Sequence, residues 1–354
     1  MDYDVAIVGL GPAGAVLARH LGANLKVIAL DKKKAEGGGF AKPCGGMLAP
    51  DAQQVLSRFD MTLPKEVLAD PQIFSVKTID LDNDIVRHYQ RHYINLDRDK
   101  FDRWLIGMIP PRIMVVQGAF CHGIERVAGG FRIAYTQNGT ETVIHARNIV
   151  GADGANSTVR RALFPDFQIR KYLSIQQWFQ DAHISPFYSC VFDSEITDSY
   201  AWGLSKDDCF IFGGAFDPHT GKRDFEALKQ KLQKYGFMLS NPIKTEACMV
   251  LRPFGPQNHC YGTDGAFFIG EAAGFISPSS LEGISYAMDS AYTLSQCLNA
   301  SGKNANTLYR AKTRKIRLKL FSKYVKFPFM YNPLLRALVM KSGAASIKMA
   351  EKRK

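Results

Sequence analysis

Three glycines and one carboxylate near the start of the chain have the types and spacing to surround a pair of phosphates. The run Gly9-Leu10-Gly11-Pro12-Ala13-Gly14 follows the short apolar stretch Val5-Ala6-Ile7-Val8 and precedes a helix-like segment with Ala18 and Leu21 on one face. A second apolar run, Leu25 to Leu30, stops at Asp31, seventeen residues after Gly14. Each part has a task. Gly9 lets the chain turn sharply, Gly11 lets backbone approach a pyrophosphate, and Gly14 lets the helix lie close to the strand. Unpaired N–H groups at the helix start favour negative charge. Asp31 stands where a carboxylate accepts hydrogen bonds from ribose hydroxyls. Strand, tight turn, helix, strand, acid: the order predicts a dinucleotide site.

Composition excludes several other chemistries. The seven cysteines, at 44, 121, 190, 209, 248, 260 and 297, form no CxxC pair, and the eight histidines show no ligand spacing. No disulfide framework and no metal site is expected, and a reducing compartment is. The N-terminus has no basic segment ahead of its apolar run, so no signal peptide is read there. No uncharged stretch approaches the roughly twenty apolar residues that span a bilayer. The net charge of +12 hides an asymmetry. Residues 301–354 hold fifteen Lys or Arg and one acid, Glu351, a balance of +14. The other 300 residues hold thirty bases and thirty-two acids, a balance of −2. A near-neutral body carries a basic tail.

The elements around the glycine motif follow from pattern and turn chemistry. Lys32 to Gly46 is a glycine-rich loop ending in Lys42-Pro43-Cys44-Gly45-Gly46, and a helix is predicted over Pro50–Phe59. Short strands are expected at Ile73–Ile79, Ile85–Tyr89 and His92–Asn95, then a helix from Leu96 to Leu105 with Asp97 as its cap. Four or five strands fall between 113 and 150, joined by turns such as Gly129-Gly130 and Asn138-Gly139. They run into Gly151-Ala152-Asp153-Gly154 and a helix over Asn156–Leu163. From Arg170 to Leu251 the texture becomes aromatic-rich β structure with one helix near Phe225–Lys234, read as an antiparallel sheet. The α/β texture returns at Ala266–Gly274, and a long helix runs to about Leu298.

Together these pieces resemble the FAD-binding fold of the aromatic hydroxylases, and most closely the geranylgeranyl reductase-like flavoproteins, over roughly residues 4–300. The resemblance rests on Gly9 to Gly14 with Asp31, on Gly151-Ala152-Asp153-Gly154, on Gly270-Glu271-Ala272-Ala273-Gly274 and on Glu282-Gly283-Ile284. It implies a Rossmann-like FAD-binding domain, α/β in class, interrupted by an antiparallel-sheet substrate domain and followed by a helical tail. The expected FAD-domain segments are 1–72, 96–169 and 256–300. Segments 73–95 and 170–255 are expected in the substrate domain, and 301–354 in the basic tail.

The resemblance also assigns roles. Gly9, Gly11, Pro12, Ala13, Gly14 and Asp31 would hold the ADP half of FAD. Arg98 would reach the phosphates or the flavin side, and Asp153 would lie in the loop touching the pyrophosphate and a nicotinamide donor. Gly270, Glu271, Ala272, Ala273 and Gly274 would contact the ribityl chain and pyrophosphate, with Gly283 and Ile284 completing the cofactor site. Glu271 stands where the family has Asp, so its carboxylate reaches further. Cys44, in Pro-Cys-Gly-Gly, matches the family's Cys-Gly-Gly near the flavin and is the catalytic candidate; the alternative is a small buried side chain filling space beside glycines. The family's Tyr-x-Trp-x-Phe-Pro is here Tyr200-Ala201-Trp202-Gly203-Leu204-Ser205, which keeps Tyr200 and Trp202 as cavity candidates and loses Phe-Pro.

No second GxGxxG motif supplies a nicotinamide domain, so NAD(P)H is expected only as a transient donor, with a ferredoxin or quinol as alternatives. The expected activity is reduction of a carbon–carbon double bond in an isoprenoid or other lipophilic substrate. Two alternatives stay open: an FAD monooxygenase acting on an aromatic ring, and a flavin-binding membrane-associated protein without turnover. The tail, from Lys312 to Met340, reads as basic helices interleaved with aromatics. Those suit an anionic membrane surface, and equally a solvated helical cover; nucleic acid is not expected. The expected location is cytoplasmic, peripheral at the inner membrane face.

Overall fold

The computed structural model describes residues 1–35, 42–180, 187–300 and 304–350. Residues 36–41 of the expected glycine-rich loop, and 301–303 and 351–354 of the basic tail, lie outside the described residues. The fold class is the expected one, an α/β chain with a Rossmann-like core, a largely antiparallel second sheet and a helical C-terminal region. The chain divides into two units. The first comprises Met1–Ala41, Asp99–Arg170 and Leu251–Tyr324; the second comprises Lys42–Arg98, Lys171–Val250 and Val325–Lys354.

The first unit is built on a seven-stranded sheet. Tyr3–Val8 lies between Val27–Asp31 and Thr140–Gly151, parallel to both, and its last four residues are buried. Met114–Gln117 extends the parallel set on one side and Ala266–Phe268 on the other. The expected group of strands after 113 resolves into Met114–Gln117 and an antiparallel meander of Ala119–Val127, Gly130–Gln137 and Thr140–Gly151. Asn138-Gly139 makes one of its turns, with φ +50° and +80°, the left-handed pair that a two-residue hairpin requires. The helices Pro12–His20 and Ile284–Asn299 pack together through buried Ala, Val and Leu side chains.

The second unit is a nine-stranded sheet in the order 244–251, 171–180, 209–216, 201–206, 187–192, 73–80, 85–95 and 346–347, with 47–48 also pairing to 85–95. One neighbouring pair departs from the expected antiparallel sheet: Phe187–Phe192 runs parallel to Ile73–Asp80. The two pieces expected at Ile85–Tyr89 and His92–Asn95 are a single strand, Ile85–Asn95. Its ladder to the neighbouring strand runs from Ile85 to Gln90 and resumes at Tyr93, with a register irregularity between the two expected pieces. The helix Gly221–Leu232 covers one face, where Phe225, Leu228 and Leu232 meet Ile175, Phe212 and Phe216.

The two largest departures from the expected domain boundaries are these. Residues 42–72 go with the second unit, because Met47–Leu48 pairs with Ile94 and Asn95. The tail is not a region apart: it forms helices Ala305–Lys312, Arg314–Tyr331 and Pro333–Lys341, which divide between the units at Tyr324. Among the described residues no helix is long and apolar enough to cross a membrane.

Candidate functional site

Strand register gathers the sequence motifs of the first unit at one edge. Val8 pairs with Leu30 and Gly151, and Gly151 with Phe268. The chain therefore leaves four parallel strands at the Gly9 turn, at Asp31, at Asp153 and at the Gly270 turn, all at the carboxyl ends where open α/β sheets bind ligands.

The glycines lock these turns together. Gly9 has φ +98°, and a Cβ there would sit 2.6 Å from the Ala152 carbonyl oxygen. A Cβ on Gly14 would lie 1.9 Å from the Gly9 oxygen, and one on Gly270 would press Ala13 at 3.1 Å. Gly11 is different: a Cβ there meets nothing within 4 Å. It precedes the helix Pro12–His20 in extended conformation, and no side chain caps that helix. Its first-turn N–H groups have no side-chain cap, and the open space over Gly11 would admit a pyrophosphate.

Asp31 is buried and bound to the turn itself. Its Oδ2 accepts from the Leu10 N–H at 2.9 Å and its Oδ1 from the Lys33 N–H at 3.0 Å. Burial raises its pKa, partly opposed by the Lys33 amide and charge. Each oxygen keeps a further lone pair for a ribose hydroxyl. Asp153 is committed more fully. Its Oδ2 caps the helix Thr158–Leu163 by accepting from Thr158 N at 2.6 Å and Val159 N at 3.3 Å. Oδ1 is shut off from water with no hydrogen-bond partner, and burial raises this carboxyl's pKa. Glu271, in the short helix Gly270–Ala273, uses its extra length to accept from Leu251 N–H at 2.9 Å.

Arg160, which the sequence reading placed only on a helix, is the buried cation of this edge. It is 3% exposed and donates to the Ala272 carbonyl and, at 2.7 Å, to the Ala155 carbonyl. It thereby ties the Asp153 loop to the Gly270 turn, with Asp153 and Glu271 holding its charge against desolvation. Beyond that turn, buried Arg252 donates to the Pro278 carbonyl at 3.0 Å, and Leu281 adopts φ +53°, a conformation rare for Leu. Gly283 and Ile284 open the helix that follows, where Glu282 caps Ser285 through both its oxygens. The structure thus unites Gly9–Gly14, Asp31, Asp153, Gly270–Gly274 and Gly283–Ile284. Arg98 opens the helix Arg98–Gly107 as the last residue of the second unit, partly buried.

The remaining candidates share a place in the second unit. Period two along Ala201–Lys206 turns Ala201 into the core under Gly221–Leu232 and sends Trp202, Leu204 and Lys206 to the other face. There the loop Pro43–Gly46 lies on them: a Cβ on Gly45 would contact Leu204 and Trp202, and one on Gly46 would meet Lys206 Nζ at 2.5 Å. Gly46 N–H points at Cys44 Sγ at 3.4 Å, and Gly46 O accepts from Leu96 N at 2.8 Å. Lys206 is 4% exposed, and Nζ donates to the Leu96 carbonyl. Among the described residues no carboxylate ion-pairs with it. Desolvation lowers its pKa to about 8, against the opposing influence of Cys44, Asp97 and Asp207. Tyr200 and Trp202 are buried with ring centroids 5.7 Å apart, and the Tyr200 and Tyr188 hydroxyls hydrogen-bond to each other. Trp202 Nε1 is buried without a partner. Lys206 escaped the sequence reading, although a lysine continuing an alternation of Trp202 and Leu204 is a signal that it faces inward.

No protein-family model matches the chain. Protein CbrA of Escherichia coli O6:H1 is 52% identical over 346 residues, covering 98% of this chain and 94% of that protein. The chain belongs to the CbrA family. In fold, this CbrA-family chain is similar to a geranylgeranyl bacteriochlorophyll reductase-like protein from Thermoplasma acidophilum, with TM-score 0.80, 18% identity and coverage of 95% of this chain and 90% of that one. It is also similar to PqsL, a probable FAD-dependent monooxygenase from Pseudomonas aeruginosa, with TM-score 0.70, 17% identity and coverage of 96% and 99%. The CbrA family thus has the fold of FAD-dependent oxidoreductases. The open cradle at Gly11, the uncapped helix and the unpartnered Asp153 Oδ1 fit a bound dinucleotide.

Proposed function

We propose that the chain is an FAD-dependent reductase that saturates a carbon–carbon double bond of a lipophilic, isoprenoid-type substrate. The observation that carries this reading is the Cys44-bearing loop laid against buried Lys206 beside an aromatic wall, a thiol and an ammonium placed in one region. Gly9 to Gly14 and Asp31 hold the ADP half of the cofactor, and the Gly270–Gly274 turn, fixed by Arg160, holds its central part. FAD, when bound, supplies hydride to one alkene carbon after reduction by an external donor such as NAD(P)H. Cys44 Sγ–H gives its proton to the other carbon, and the Lys206 ammonium reprotonates the thiolate before recovering a proton from solvent. Tyr200 and Trp202 exclude water from the apolar substrate.

A single-turnover experiment tests this. The protein is reduced anaerobically and mixed with a polyprenyl alkene; flavin reoxidation and the saturated product are followed. Cys44→Ser should slow reoxidation by about 10²-fold, the usual worth of a positioned acid, while retaining FAD. Lys206 acts after Cys44, so its signature is the pH profile of repeated turnover with excess donor. Its ammonium is lost as pH rises through about 8, so the wild-type steady-state rate should fall there, and Lys206→Met should turn over slowly throughout without that limb while its first turnover stays fast. Unchanged rates in Cys44→Ser would reduce Cys44 to packing. The fold shared with PqsL favours a second reading, oxygenation of an aromatic ring. Oxygen consumption coupled to hydroxylated product, with no alkene reduced, would establish it instead.

A further inference from the structure

The helix Arg314–Tyr331 is fixed by one face and shows an apolar stripe on the other. Ile316 and Leu320 are buried at 4% and 0% exposure, whereas Leu318, Phe321, Val325 and Phe329 are 50 to 58% exposed. Those four are spaced by three, four and four residues, which at 3.6 residues per turn puts them within an arc of about 80°. Single exposed apolar side chains are ordinary; a stripe running the length of a helix is not. Two aromatics of the helix stay off the stripe: the Tyr324 hydroxyl turns toward Gly255 and His259, and the Phe327 ring lies against Tyr331.

Charge borders the stripe along one side and at its start. Lys315, Lys319 and Lys326 flank one edge and Arg314 heads the stripe, all exposed, with Lys319 reaching Asp289 at 3.7 Å. Residues 304–350 contain no Asp or Glu at all. The next helix, Pro333–Lys341, repeats the design: Arg336 anchors it to Asp80 and Asp82, while Leu334 and Leu338, one turn apart, are 75% and 67% exposed.

We infer that the exposed stripe Leu318–Phe321–Val325–Phe329, with its bordering bases, is a docking surface for an anionic phospholipid bilayer. The helix would lie in the interface plane, apolar side chains among the acyl chains and lysines snorkelling to the headgroups. Charge selects this occupant. Bases on helices that carry no acid of their own repel a second copy of the same face, and a nucleic-acid phosphate backbone offers nothing to four apolar side chains beside the bases. This surface is independent of the proposed reaction, and its test reads no activity.

The experiment is flotation of the full-length protein with vesicles of phosphatidylglycerol and phosphatidylcholine, against phosphatidylcholine alone, at low and high salt. Wild type should float with the anionic vesicles, weakly with the neutral ones, and lose binding as the Debye length shrinks from about 10 Å at 0.1 M to 3 Å at 1 M salt. Two variants separate the contributions: Leu318→Ser, Phe321→Ser, Val325→Ser and Phe329→Ser together, and Arg314→Gln, Lys315→Gln, Lys319→Gln and Lys326→Gln together. Each should lose at least about tenfold in partitioning. Unaltered circular dichroism shows that each variant is folded; if one is not, Phe321→Ser and Lys326→Gln alone should still weaken binding. Failure of wild type to float at low salt, or folded variants that float as well as wild type, would overturn the inference. So would ultracentrifugation showing a wild-type dimer that the serine variant makes monomeric.

Discussion

Gly11→Val should yield a folded protein that cannot hold FAD. A valine Cβ at this position meets no atom of the chain within 4 Å, and Gly11 already has φ −70° and ψ −170°, a conformation any residue adopts. The side chain therefore costs the fold little and occupies the space reserved for the pyrophosphate. Flavin content should fall from stoichiometric to background, while the circular dichroism spectrum matches that of wild-type apoprotein. Gly14→Val makes the contrast. Its Cβ would lie 1.9 Å from the Gly9 carbonyl oxygen, so the helix must leave the turn. That variant should express poorly or unfold. A Gly11→Val protein with full flavin would remove the dinucleotide assignment.

Arg160→Met should be the most damaging single change outside the glycines. The guanidinium is buried, donates to the Ala272 and Ala155 carbonyls, and balances Asp153 and Glu271. Methionine fills much of the volume but leaves two carbonyls and buried carboxylates without their cation. Losing one partner from a buried charge cluster costs about 3–5 kcal/mol. Urea unfolding should show that loss, with FAD affinity falling as the Asp153 loop and Gly270 turn separate. Arg160→Lys keeps the charge without the two-pronged reach and should fall between. A melting curve unchanged by Arg160→Met would mean that the two turns hold their places without it.

The first βαβ unit was legible because each local requirement left a residue type behind: glycine where the turn tightens, continuous apolar runs in the buried strands, an acid at the second strand's end. The Asn138-Gly139 hairpin was legible for the same reason. What stayed hidden depends on contacts distant in sequence. Arg160 looks like any helix arginine until the Ala272 carbonyl, 112 residues away, is folded against it. Lys206 is similar, since its burial depends on Leu96 and Gly46. The Pro43–Gly46 loop was expected to follow the glycine motif it adjoins, yet two ladder pairs between Met47–Leu48 and Ile94–Asn95 draw it to the second sheet. In the tail, composition announced basic amphipathic helices, but only packing decided which aromatics face outward.

The central claim is that this chain holds FAD through Gly9–Gly14, Asp31 and the Gly270 turn. Its most direct test is to release the chromophore from purified full-length protein by heat and quantify it against protein. The account predicts FAD, noncovalently bound and stoichiometric, or taken up stoichiometrically when added to apoprotein. A folded protein that is colourless and takes up no FAD on titration would contradict it.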